Sequence, residues 1–551
     1  MASGVRVTSL GVYAEMGQSD PEVRATSLGV YAELGVAVPQ LGATRTVAWR
    51  LWVDWDFDGN YTAETTHLVR ASGGMRLANP EDSLTGGRGM VDRATITLRN
   101  PSGRFSSLLT TGALYSDLQG GGAYHAPMYL EVSINGGDYA RIFTGVIKLP
   151  QEGTPTARGE ATIVLDCRSR DEAALSARVS TSQAVFAQIY NEGWTEEQIV
   201  AQWLTSAGLT DGTDFVSQAY ATAHSVTATL DPGLWVIPWA WLDDESPIED
   251  GWGLAAAVGG RLYVDPDGIY RYENAQHWLM SPHDSSRGTL DRDDFQDMRA
   301  AWNDRELFSG VTVEISPRET VDSGQVWEAD QVLSVPPGVI KTVLARLSAP
   351  VYGSVSVTYV AVTSGGQDIT GDVTVTPTQN AQRVSLAIQN THASHAANLV
   401  VLKLTGQAVE GGPTGEASEE SSETFWSSRL GRRRRLRGNP YIQTEALAGM
   451  VAEFLRDRHQ LPRLSFGVSG VPGVPSRRLG DRLTLDDPKT MSASRDGFVV
   501  GVDWRLDNGG FWQDLTLLDA TGLYPYGDTT PGYFIIGTSS LKASNSDYLF
   551  Y

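Results

Sequence analysis

Asp54, Asp56 and Asp58 alternate along Asp54-Trp55-Asp56-Phe57-Asp58-Gly59-Asn60-Tyr61-Thr62-Ala63-Glu64. Carboxylates at this spacing, with Asn60 as a further oxygen ligand and Gly59 for a sharp turn, are what a hard cation such as Ca2+ needs. The closing bidentate glutamate of such a loop would fall on Thr65, and Glu64 stands one residue short. No helical flank is evident. An aspartate-rich hairpin turn that needs no metal is therefore the competing expectation.

The segment Leu234-Trp235-Val236-Ile237-Pro238-Trp239-Ala240-Trp241-Leu242-Asp243-Asp244-Glu245 mixes tryptophans with acids, as sugar-cleaving sites do. Adjacent acids just before Ser246-Pro247-Ile248-Glu249 are helix-start residues first, however. Six arginines between Arg429 and Arg437, among them Arg432, Arg433, Arg434, Arg435 and Arg437, form the strong positive patch. They would bind phosphate backbone, or neutralise an acidic surface on a neighbouring subunit or on Glu416–Glu423. Cys167 follows Ile163-Val164-Leu165 in an apolar run, so a buried thiol is expected rather than a nucleophile. His392 and His395 occupy a polar turn with no third ligand near in sequence. The chain has no GxSxG elbow, no phosphate-binding GxxxxGK[ST] loop, no HExxH and no CxxC. No catalytic residues and no certain cofactor are expected.

The elements that must position these groups are mostly strands. The chain has 551 residues, 41% of them hydrophobic, which is enough for several packed domains. Its net charge of −22, with only five lysines, argues against a whole-protein preference for nucleic acid. A single cysteine excludes an internal disulfide framework. No apolar run reaches the ~18 residues of a membrane span, and no leader-like start is visible.

Residues 1–43 read as an N-terminal arm with two repeats: Val5–Glu15 returns 18 residues later as Val23–Glu33. Such strands would pair as a hairpin or add to sheet edges. Residues 44–180 alternate as a barrel-like β domain, with turns at Asn100-Pro101-Ser102-Gly103 and Asn135-Gly136-Gly137-Asp138. An α+β domain follows at 181–307. It has helix starts at Thr195-Glu196-Glu197-Gln198 and at Ser246, and a hairpin around Asp265-Pro266-Asp267-Gly268. Residues 308–410 read as a β-sandwich and 411–438 as a charged linker. A C-terminal α+β unit at 439–520 opens with a helix near 443–459, and 521–551 reads as an aromatic-spotted arm.

Five stretches in this order resemble the tail-tip, baseplate-hub-like minor tail proteins of long-tailed bacteriophages. They are Gly89–Ser106 (with Ala94-Thr95-Ile96-Thr97-Leu98-Arg99-Asn100 and Gly103-Arg104-Phe105-Ser106), Ile142–Ile147, Trp239–Gly268, Trp327–Asp330 and Asn439–Leu485. Each alone is a weak strand or turn pattern, and their order carries the resemblance over most of residues 45–520. It implies a virion structural protein made in the host cytoplasm: a homotrimer whose tube-like β-barrel domains cap or extend the tail tube. Residues 45–170 and part of 440–520 would be those domains, and the sandwich would be an insertion. Other tail proteins would be its partners, with transient passage of DNA during genome ejection. An aspartate-bound calcium would stiffen a subunit contact. The rival reading is a receptor- or carbohydrate-binding tail protein that uses the 308–410 sandwich. A cell-wall hydrolase would need a carboxylate pair or metal triad in a cleft, and the sequence offers no convincing candidate.

Overall fold

The computed structural model describes residues 22–24, 45–77, 87–148, 150–153, 161–171, 175, 177–181, 194–303, 307–507 and 510–520. The repeats, apart from residues 23–24, and the arm at 521–551 lie outside them.

Strand is the commonest regular structure in the described chain, and one sheet of 15 strands dominates. We number the strands of its main path β1 (Glu22–Arg24), β2 (Thr46–Val53), β3 (Leu68–Arg76), β4 (Val91–Arg99), β5 (Pro127–Ile134), β6 (Ala140–Ile147), β7 (Thr162–Ser169), β8 (Asp297–Asn303), β9 (Arg463–Pro472), β10 (Arg495–Asp507) and β11 (Gly510–Asp519). Their spatial order is β1-β2-β5-β6-β7-β4-β3-β10-β11-β9-β8, antiparallel at every step. Alternation explains the faces. In β7, Ile163, Leu165 and Cys167 point inward and are fully buried while Thr162, Val164, Asp166 and Arg168 stay partly exposed.

The stretches expected to form tube-like β-barrel domains, 45–170 and part of 440–520, share one sheet. Instead of closing on itself, the 44–180 unit offers β3 to β10, in a register from Ala71↔Leu506 to Arg76↔Gly501. Along this path the described strands form one open sheet. The reason lies in the packing at the seam. Gly73 faces Trp504, and a Cβ there would overlap the Trp504 ring and the Arg93 carbonyl oxygen. Trp504, Leu506 and Phe511 complete the N-terminal core, while Met75, Leu77 and Met90 sit in the C-terminal one.

Three helices are placed by their starts. α1 (Glu196–Ser206) has the expected capping box of Thr195 and Gln198. α2 (Pro247–Ala257) is capped by Ser246 with Pro247 in its first turn. In α3 (Glu445–His459), Thr444 accepts the Leu447 N–H. The hairpin of Arg261–Val264 and Tyr270–Glu273 ties this part to the main sheet through its tip. Thr144 Oγ1 donates to the Pro266 carbonyl (2.6 Å), and Arg170 Nη1 donates to that of Gly268 (3.1 Å).

The sandwich is real but starts later than its expected boundary at residue 308. Gly310–Ile315 is not part of it: Val311, Val313 and Ile315 join the core beneath α3. The strands Gly415–Glu420 and Arg433–Leu436 pair on either side of it. The segment 411–438 is therefore not simply a linker, because two of its stretches are strands. Glu416, Glu420, Arg433 and Arg435 are exposed on the face opposite Ala417 and Leu436, which reach the core, so the alternation was hidden by charge. The sandwich proper runs from Arg318–Thr320 to Ala397–Gly411. Five strands centred on Ala397–Gly411 face three (Ile340–Arg346, Arg383–Asn390, Val373–Gln379) across Leu386, Ile388, Leu402 and Leu404.

Candidate functional site

The aspartate loop leaves the end of β2. The backbone N–H of Asp54 donates to the Pro127 carbonyl (2.9 Å), which buries the residue at 3% exposure while Asp56 and Asp58 stay exposed. One oxygen from each of the three carboxylates lies within 4.8 Å of the others, an all-oxygen set suited to a hard cation. The loop also closes by its own bonds. Asp54 accepts the N–H groups of Asp58 (3.2 Å) and Gly59 (3.1 Å). Asp58 accepts the N–H (2.7 Å) and side-chain amide (2.8 Å) of Asn60, and these bonds hold it below the usual carboxylate range. Partial desolvation, then the charge of Asp58, pushes Asp56 upward. Gly59 (φ 84°) supplies the turn, and Phe57 (φ 61°) shares the left-handed region.

Glu64, which the calcium pattern set aside, faces inward. At 1% exposure it accepts Trp55 Nε1 (3.1 Å) and both Nε (3.2 Å) and Nη2 (2.6 Å) of Arg104. Arg104 belongs to the Gly103-Arg104-Phe105-Ser106 turn, where Asn100 Oδ1 accepts the Phe105 N–H (3.1 Å) and Ser106 Oγ donates to Glu152 (2.8 Å). One buried carboxylate thus clasps the aspartate loop to the turn that follows β4. The local sequence signal was a glutamate followed closely by β-branched residues; its arginine partner lies 40 residues away.

The arginine segment is not brought near the aspartates' carboxylate cluster by any contact among the described residues. Within Arg433–Leu436, Arg433 reaches Glu420 (2.6 Å) and Arg435 pairs with Glu416, both over the intervening Gly310–Ile315 strand. Arg432 and Arg434 lie over the Phe308 ring at 5.3 and 5.4 Å. Arg437 is exposed.

The tryptophan-acid segment is an anchor for the sandwich. Asp243 is buried and pairs with Arg346 (3.0 Å) and Arg383, while Trp241 Nε1 donates to Gln382 (3.2 Å). Trp327 packs against the sandwich core. Cys167 is fully buried, and burial pushes its thiol far up.

A buried polar cluster had no sequence signal. Glu273 accepts Tyr263 Oη (2.5 Å) and Trp278 Nε1 (3.1 Å). Beside it His277 Nδ1 meets Asp231 (2.8 Å), and His283 Nδ1 meets the Gly480 carbonyl (2.8 Å). Burial alone would raise Glu273; the charges of His277 and Arg261 outweigh it and hold the carboxyl low. The cluster joins the hairpin of the α+β part to the turn before the strand Arg482–Asp486.

No protein-family model and no curated protein matches the chain. Among solved structures, it is similar to the tail protein from Neisseria meningitidis MC58, at 12% identity and TM-score 0.41 over 86% of this chain and 98% of that one. It is also similar to the 43 kDa tail protein of prophage MuSo2 from Shewanella oneidensis, at 11% identity and TM-score 0.41 over 86% and 98%. A third is prophage tail protein gp18 from Listeria monocytogenes EGD-e, at 9% identity and TM-score 0.40 over 85% and 94%. All three are tail proteins by name, the class that the ordered motifs resemble.

Proposed function

We propose that the chain is a non-enzymatic structural subunit of a phage tail tip, of the baseplate-hub type. It caps or extends the tail tube and connects it to tip proteins for DNA delivery. The observation that carries this reading is the seam between β3 and β10. It joins the two stretches that the ordered motifs single out as tube-like, 45–170 and the end of 440–520, into one antiparallel sheet. A chain contributing two such halves suits a homotrimer that presents six to a tube. The net charge of −22 fits a channel whose like charge keeps DNA from adhering to the wall.

Native mass by light scattering tests the assembly. Three times 59.5 kDa is the expected result, and a monomer at every concentration would count against the hub. Gel zymography on cell-wall material is expected to stay uncleared, and a cleared band would overturn the non-enzymatic reading.

A further inference from the structure

A cavity of about 650 Å3 opens beside the strand Thr289–Asp291 and the end of β9. Leu290, Val471, Val474 and Leu483 supply apolar wall, and Arg287 and Arg477 line it as well. Arg477 is only 7% exposed. Its Nη1 donates to Gln513 Oε1 (2.7 Å), a neutral acceptor that already takes the Val474 N–H (2.9 Å). Among the described residues no carboxylate lies within ion-pair distance of Arg477. The two acids of the cavity are engaged elsewhere. Asp481 holds Arg287 Nη1 (2.7 Å) and the Arg478 N–H (2.8 Å), and Asp294 accepts the Asp291 N–H (3.1 Å).

A guanidinium carries five N–H donors in a planar fork. Bonded to one neutral oxygen, with Asp481 and Asp294 attracting it only from beyond ion-pair distance, the Arg477 fork keeps donors for an anion. Burial draws Arg477 down to about 10, with the repulsion of Arg45 and against the attraction of Asp481 and Asp294. A carboxylate matches the fork with two parallel hydrogen bonds. A dianion such as phosphate would instead meet Asp294 and Asp481 across the same space, so a single negative charge fits better.

We propose that this cavity binds a monocarboxylate carried on an apolar body, with Arg477 receiving the carboxylate and Leu290, Val471, Val474 and Leu483 packing the body. The site stands independently of the tail-tip reading.

Isothermal titration of the full chain with benzoate tests it, with isosteric neutral benzamide and inorganic phosphate as controls. Benzoate is expected to bind with a Kd on the order of 1 mM, and both controls at least about tenfold more weakly. Arg477→Gln is expected to weaken benzoate by about tenfold or more. Ser476→Trp, placed at an exposed lining position of the cavity, leaves Arg477 intact and is expected to block benzoate while circular dichroism stays native. It serves if Arg477→Gln does not fold. Equal binding of benzoate and benzamide, phosphate binding as tight as benzoate, or undiminished benzoate binding in the folded variants would overturn the proposal.

Discussion

Glu64 shows how much one buried carboxylate decides. With 1% exposure and three charge-assisted or indole hydrogen bonds, it is stable only while Arg104 stands opposite. Arg104→Ala removes the partner and leaves an uncompensated buried charge, so a loss of about 3 kcal/mol is expected in urea unfolding. Glu64→Gln, which removes the charge with the partner still present, should cost clearly less. Asp54 is the second residue of weight here. Its carboxylate closes the loop by accepting two backbone N–H groups, so Asp54→Ala should cost about 2 kcal/mol. Because these bonds need no ion, chelation is expected to leave Tm unchanged. A Tm that rises with added calcium, and does so only with Asp56 and Asp58 intact, would assign the loop to the cation instead.

Among the elements, α1 carries the clearest pH signature. Glu196, fully buried at its first turn, accepts the N–H groups of Leu234 (2.6 Å) and Trp235 (2.8 Å). Burial raises its pKa from 4.5 to about 7, against the lowering effect of these bonds. Between those two values the folded chain binds more protons than the unfolded one, so this group's contribution to stability falls as pH rises and levels off above about 7. Glu196→Gln abolishes that dependence. The Tm difference, variant minus parent, is expected to become more positive from pH 5 to pH 8; an unchanged difference would contradict the assignment. The seam makes a second prediction for an element. Gly73→Ala forces a Cβ into the Trp504 ring and the Arg93 carbonyl, so a loss of at least about 2 kcal/mol and altered near-ultraviolet dichroism are expected.

For the molecule as a whole, the sandwich behaves as an insertion. Its two ends are adjacent: Arg318 pairs with Gly411, and the Gly412 N–H donates to the Pro317 carbonyl (2.9 Å). Joining these ends after excision of the intervening strands should leave the main sheet folded, with the native mass reduced only by the missing residues. Asp243 would then lose Arg346 and Arg383, so Asp243→Asn is expected to stabilise the shortened chain and to destabilise the full one. Collapse of the shortened chain even with Asp243→Asn would show that the sandwich supports the main sheet rather than hanging from it.

The amino-acid sequence by itself determined the mainly β character, the turns and the helix starts. Those signals act within a few residues: the alternation of Ile163, Leu165 and Cys167, the capping box at Thr195 and Gln198, and Pro247 in a first helical turn. It also placed Asp54, Asp56 and Asp58 in one loop, because alternate positions on so short a stretch have nowhere else to go. Only the tertiary structure decided which edges meet. Alternation selects a strand's buried face but not its neighbour, so nothing local announced that Ala71 pairs with Leu506. Nor did it announce that a polar, glutamate-rich stretch would be held as a strand by arginines across the sheet. The clasp of Glu64 on Arg104 and the burial of Arg477 without an ion pair were invisible for the same reason. The cost or gain of a buried ion is set by what the fold brings within a few ångströms of it, and separation along the chain carries no record of that.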